Sequence, residues 1–316
     1  MVMLGCLVTA YNGVKHGERI QPQGARGMPW TLSDIPWHAF EASRVEPVTL
    51  ALARSACLVE YNSFEYGRYL RQVFADAPEL NAPIAQWAEE EVQHGQVLRR
   101  WCEMADPTFD FERSFRLFID RIRIPDGTGG SVRGSRTGEL LARCVIECGT
   151  SMYYSGLAAQ VAEPVLKNIC KRIASDEFHH YRLFLDQCRT WASREALPLI
   201  QRLRVVLGRM IESEDDELAY AYYCANPDGQ PYRRRAILAT YLQSSLAVLR
   251  RDDLERSLGM AMTAAGIPVP RRVMGTVSTV GMRIIRWRMR SLAHSRGSRR
   301  AGSSPRSVSE IPSSMM

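Results

Sequence analysis

The chain has 316 residues, 46 % hydrophobic and 24 % charged, with eight cysteines and a formal net charge of +7. Such a length can bury a sizeable core as one domain with extensions, and the lack of an 18-residue apolar run argues against a membrane-spanning helix. No Cys-x-x-Cys spacing occurs, which excludes a rubredoxin-type module, and scattered cysteines fit a reducing compartment, so a cytoplasmic location is expected.

Residues 1–30 show no clear period and are expected to be a poorly ordered N-terminal extension; the opening Met1-Val2-Met3-Leu4 has no basic segment or cleavage site of a signal peptide. Residues 31–270 are expected to form an all-α domain with its core at 47–192. Leu52, Ala53, Ala56, Val59, Glu60 and Ser63 recur at helical spacing and predict one helix over 47–75, ended by Asp76-Ala77-Pro78. A second helix is predicted over 78–104. Residues 107–135 read as a crossover, with Phe109, Phe111, Phe115 and Phe118 marking a short helix and Asp126-Gly127-Thr128-Gly129-Gly130 a loop. Helices follow at 136–161 and 164–192. Short links within each pair and a long one between the pairs predict a four-helix bundle with one long crossover. Further helical patterns occupy 197–225 and 232–264.

Residues 271–316 differ in character. They hold ten Arg and one acid, Glu310, whereas the first 270 residues hold 31 basic and 33 acidic side chains. The positive charge therefore belongs to this end of the chain. Val273, Val277, Val280, Ile284 and Trp287 form a helical seam among the arginines, predicting a basic amphipathic segment followed by a disordered tail.

The chemistry is concentrated in a repeated phrase. Glu91-Val92-Gln93-His94 and Glu177-Phe178-His179-His180 are both Glu-x-x-His, and a Glu and a His three apart on a helix reach toward one point. About thirty residues before each stands a Glu in an apolar run, Glu60 after Cys57-Leu58-Val59 and Glu147 after Cys144-Val145-Ile146. One Glu-x-x-His is weak evidence. Two copies, each preceded by a Glu on a core-facing stripe, are much stronger, because a carboxylate is costly to bury unless it is paired or ligates metal. The halves resemble a duplicated helix pair.

Glu60, Glu91, His94, Glu147, Glu177 and His180 thus make a candidate ligand set of four carboxylates and two imidazoles from four helices, suited to two iron ions or a manganese–iron pair. Symmetry predicts Glu91 and Glu177 as bridges, with Glu60 and Glu147 terminal. Glu90 and Asp176 each precede a bridging Glu and are candidate acceptors for the outer histidine N–H, Asp176 for His94 and Glu90 for His180. Spacing favours His180 over the adjacent His179 as the ligand. Thr150, three after Glu147, either aims its hydroxyl at the oxygen-binding side or bonds its own helix. Cys144 and Cys148, flanking Glu147, read as small core residues.

On these motifs the chain resembles the ferritin-like di-iron carboxylate superfamily, in particular its oxygen-activating branch that includes the soluble acyl-carrier-protein desaturases. Trp87-Ala88-Glu89-Glu90-Glu91-Val92-Gln93-His94-Gly95 is similar to the second-helix motif of those enzymes, Asp176-Glu177-Phe178-His179-His180 to the fourth-helix motif, and Glu147 to Thr150 to their Glu-x-x-Thr. The likeness spans residues 31–192 and extends to a group of uncharacterised bacterial ferritin-like proteins. It implies two iron ions, dioxygen activation, and an organic substrate and electron donor that the residues do not name. Three departures narrow it. The Arg that precedes the metal His in many relatives is Gln93 in one half and His179 in the other, and Leu98 stands where a radical-storing relative carries Tyr.

The leading expectation is a di-iron oxidoreductase that oxidises, desaturates or hydroxylates an organic substrate, an acyl chain on a carrier protein being one candidate. The alternatives are a ferroxidase or peroxide scavenger, and a non-catalytic metal-stabilised scaffold. A closed core with an acidic entry path would favour the ferroxidase reading. Residues 271–316 read either as a solvated terminal helix with a passive tail or as a contact for an acidic partner or an anionic membrane surface; a homodimer stays open, and nucleic acid is not expected.

Overall fold

The computed structural model describes residues 30–212 and 216–301. Contacts divide the chain into Met1–Thr31, of which only Trp30 and Thr31 are described, and Leu32–Met316. The expected disorder of the N-terminal extension, apart from Trp30, and of the last tail residues, 302–316, lies outside the described residues. Every regular element in the described part is helical, so the chain is all-α.

After three short 3-10 turns, α1 (Pro47–Tyr61) and α2 (Ser63–Val73) run up to a turn at Pro78–Leu80, and α3 (Asn81–Ala105) returns along both. Pro47 opens α1 at its first position, where the missing N–H costs no hydrogen bond. The crossover carries α4 (Phe111–Arg121), whose Asp110 cap accepts from Arg113 N. A second pair follows. The Ser135 hydroxyl caps α5 (Arg136–Gln160), and α6 (Pro164–Glu195) starts from buried Glu163, which accepts from the N–H groups of Val165 and Leu166 and from Trp101 Nε1. That Glu163 network ties the start of α6 to the end of α3. α5 packs on α6, and α3 on both α1 and α6. Leu70, Phe74, Trp87, Leu140, Leu141, Cys144, Phe184 and Trp191 pack into one core between them.

The remaining helices cover this frame. α7 (Leu199–Glu212) lies on α5, and α8 (Asp216–Ala225) on α1 and α4. α9 (Arg234–Ala247) packs on α8, α10 (Arg251–Ala264) on α5, and α11 (Arg271–Ala301) on α9 and α10. The seven cysteines among the described residues are free and buried, Cys144 and Cys148 with them, and burial pushes the Cys148 thiol up to about 12. They are inert core side chains.

One expectation is corrected. Residues 47–75 are not one helix: the chain breaks at Asn62, whose N–H turns back to Val59 O at 3.2 Å. The break falls where α3 comes closest, since a Cβ added at Gly95 would lie 2.6 Å from Tyr61 N, and Asn62-Ser63 readily leaves helical geometry. In α11, Met274, Ser278 and Met282 are buried, while Val273, Ile284 and Trp287 of the seam are exposed. Gly281 lets α11 approach α10 closely, since a Cβ added there would lie 3.3 Å from Leu254 Cδ2.

Candidate metal centre

Glu60 stands in the last turn of α1, immediately before the break. Glu91 and His94 lie mid-way along α3, Glu147 mid-way along α5, and Glu177 with His180 mid-way along α6. All six are buried, none more than 7 % exposed. Their ligand atoms form two overlapping groups, Glu60–Glu91–His94–Glu177 and Glu91–Glu147–Glu177–His180, each with every atom within 4.8 Å of the others. Glu91 and Glu177 belong to both groups; Glu60 and His94 belong to the first, Glu147 and His180 to the second. The two imidazoles sit 5.8 Å apart, centroid to centroid.

Both histidines point Nδ1 into the cluster. His94 Nδ1 is 3.4 Å from Glu177 and 3.7 Å from Glu91, and His180 Nδ1 is 2.9 Å from Glu91 and 3.6 Å from Glu147. The outer nitrogens meet carboxylates from the opposite half. His94 Nε2 lies 3.1 Å from Asp176 on α6, and His180 Nε2 lies 2.8 Å from Glu90 on α3. Such partners fix the ring orientation and leave Nδ1 to the interior. His179 turns away toward Phe178 and enters neither group.

The Thr150 hydroxyl resolves the two readings of that residue in an unexpected way. It contacts its own helix at Ile146 O and Glu147 O, and it also donates to Glu177 Oε2 at 2.8 Å. Tyr154, which was not singled out from the sequence, donates its buried hydroxyl to Glu60 Oε1 at 2.5 Å. A signal for it existed: Tyr154 lies seven residues after Glu147, two turns along the same face of α5.

Burial pushes the Glu60 and Glu147 carboxyls well above the ordinary range, reinforced by the negative charges of Glu91 and Glu177. Burial acts the same way on Glu91 and Glu177, but the imidazoles of His180 and His94 outweigh it and hold both carboxyls low. Burial lowers the histidines; the surrounding carboxylates outweigh it, Asp176 foremost for His94 and Glu147 for His180, and raise both. Protons thus balance the buried negative charge. A bound cation would take their place, so cation uptake would release protons and strengthen as pH rises.

The donor set fits metal. Glu147 Oε2, Glu177 Oε1 and His180 Nδ1 are buried without a hydrogen bond, although each faces other polar atoms of the cluster. Leaving such atoms unsatisfied costs about 1–3 kcal/mol apiece, and four buried carboxylates need compensating charge, which two divalent ions would supply. Hard carboxylate oxygens with one imidazole per ion suit iron or manganese. No known family model matches the chain, and no curated protein does. No described helix is long and apolar enough to cross a membrane.

Proposed function

We propose that the chain is a ferritin-like di-metal oxidoreductase that uses dioxygen to oxidise an organic substrate. The observation that carries this reading is the pair of overlapping ligand groups sharing Glu91 and Glu177. In this reading Glu91 and Glu177 would serve two ions in common, with Glu60 and His94 completing one position and Glu147 and His180 the other. Two irons so held would supply electrons to dioxygen.

The protein's own part is positioning. Asp176 and Glu90 accept the outer N–H of His94 and His180 and keep Nδ1 directed inward. Thr150 holds one oxygen of Glu177, and Tyr154 holds one oxygen of Glu60. The enclosing helices exclude bulk water, which strengthens every electrostatic interaction inside. An acyl chain is one candidate substrate.

One observation favours a second reading, oxidation of ferrous iron itself. The cluster is closed, and the acids on its outer side, Glu90 and Asp176, are partly exposed and offer cations an entry. Anaerobic loading with ferrous iron, followed by oxygen and optical spectroscopy with and without fatty-acyl substrates, separates the readings. The proposal expects about two irons per chain, as in two-metal sites generally, and oxygen uptake coupled to substrate oxidation. Oxygen uptake that tracks only the iron added, whatever the substrate, selects the second reading. Failure to bind iron or manganese at all rejects both.

A further inference from the structure

α11 carries a feature that the metal centre does not use. Its buried side is Met274, Ser278 and Met282, and Ser278 donates to Glu255 Oε2 of α10 at 3.2 Å, anchoring the helix. At about 100° per residue, Val273, Val277, Val280, Ile284 and Trp287 fall within an arc of about 80°, turned roughly 140° from that anchor face. Val277 and Val280 are half-buried along the flank, while Val273 is 42 %, Ile284 50 % and Trp287 68 % exposed. An exposed row that ends in a largely uncovered Trp is unusual on a soluble surface. Arginines edge it: Arg272, Arg283 and Arg290 on one side and Arg288 on the other, with no acid anywhere in Arg271–Ala301.

We infer that this face of α11 docks on an anionic lipid surface. The row has the 4-3 spacing of a helix-pairing seam, but a second copy would set Arg283, Arg288 and Arg290 against their own equivalents, and like charges at those flanking positions oppose pairing. A lipid interface meets each element at once. Apolar side chains enter the boundary between headgroups and acyl chains, Trp occupies the headgroup level, and arginines at the edges lay their stems along the apolar zone with their heads on phosphate. The positive charge continues past the seam at Arg296, Arg299, Arg300 and Arg306, where no apolar pattern accompanies it. A diffuse field of this kind suits an extended anionic surface better than a defined acidic groove.

The test is co-sedimentation of the full chain with vesicles of equimolar phosphatidylglycerol and phosphatidylcholine, against vesicles of phosphatidylcholine alone. The expected result is binding to the mixed vesicles only, weakened by molar salt, where the screening length falls to about 3 Å. Arg272→Gln, Arg283→Gln and Arg290→Gln together should lower the partition roughly a hundredfold, at about fivefold for each basic residue near such a surface. Ile284→Ser with Trp287→Ser should lower it by about tenfold or more, the value of one large buried apolar side chain. All these side chains are exposed, and circular dichroism with metal content verifies that the variants stay folded. No partition into the mixed vesicles overturns the inference. So does binding that needs the arginines but ignores Ile284 and Trp287, which would mark a general polyanion site. Concentration-dependent dimerisation abolished by Trp287→Ser, without lipid binding, would instead assign the face to a second copy.

Discussion

The two halves of the cluster present the same kinds of side chain and hold them differently. In the first half, Glu60 sits in the last turn of α1, two residues before the turn at Asn62, and a Tyr154 hydroxyl pins it from across the interior. In the second half, Glu147 sits mid-way along an unbroken helix of 25 residues, and its Oε2 makes no hydrogen bond. Backbone rigidity and side-chain anchoring trade places. A carboxylate on a helix end is steadied by a neighbour, and one on a continuous helix is left free to change its ligation. The outer contacts differ less, His94 to Asp176 at 3.1 Å and His180 to Glu90 at 2.8 Å.

Breaking the shared element should erase the distinction. Glu177→Ala removes a member of both ligand groups, so metal per chain, measured by inductively coupled plasma spectrometry, should fall from about two to below about one; two-metal sites depend on their common bridges. His179→Ala should keep full loading. A fully loaded Glu177→Ala protein would reject the ligand assignment.

The crossed carboxylates allow each half to be weakened separately. Asp176→Asn and Glu90→Gln keep the shape but lose the charge that orients His94 and His180. Each should weaken metal binding about 10–100-fold, the usual effect of such partners, and titration under anaerobic conditions should show one position weakened and the other retained. Equal loss at both positions would mean that the halves act as one unit.

The smallest effect sharpens the comparison most. Tyr154→Phe removes only the hydroxyl on Glu60, and a hydrogen bond to a charged group contributes about 1.5–3 kcal/mol. The first position should then lose affinity by about tenfold or more while the second is unchanged, read by the two-step titration. An unchanged first position would mean that the helix end is rigid without Tyr154.

What was legible in the sequence followed from short-range geometry. The three-residue spacing of Glu91 with His94 and of Glu177 with His180 places each pair on one face of a helix whatever surrounds it, and an acid in an apolar run such as Val145-Ile146-Glu147 points inward. The all-helical class and the long crossover followed from periodicity and breakers. What escaped was set by distant contacts. The stop at Asn62 comes from the approach of Gly95, 33 positions on, where any larger residue would meet the Tyr61 backbone. Tyr154 reads as one more core aromatic until Glu60 is seen opposite. The face by which α11 packs on α10 was not legible either, because it is built from Met and Ser rather than from the more hydropathic Val and Ile.

The sharing of Glu177 also imposes an order in time. Both ligand groups draw on it, so the first half of the chain, with Glu60, Glu91 and His94 already made, holds no complete set. During synthesis from the N-terminus the early helices emerge tens of residues ahead of α6. Asp176 reaches His94 only across 82 residues, and Glu90 reaches His180 across 90. If the cluster holds metal as proposed, capture of an ion in a finished pocket would wait until α6 docks, and a nascent or truncated chain ending before α6 would be spared a half-built centre.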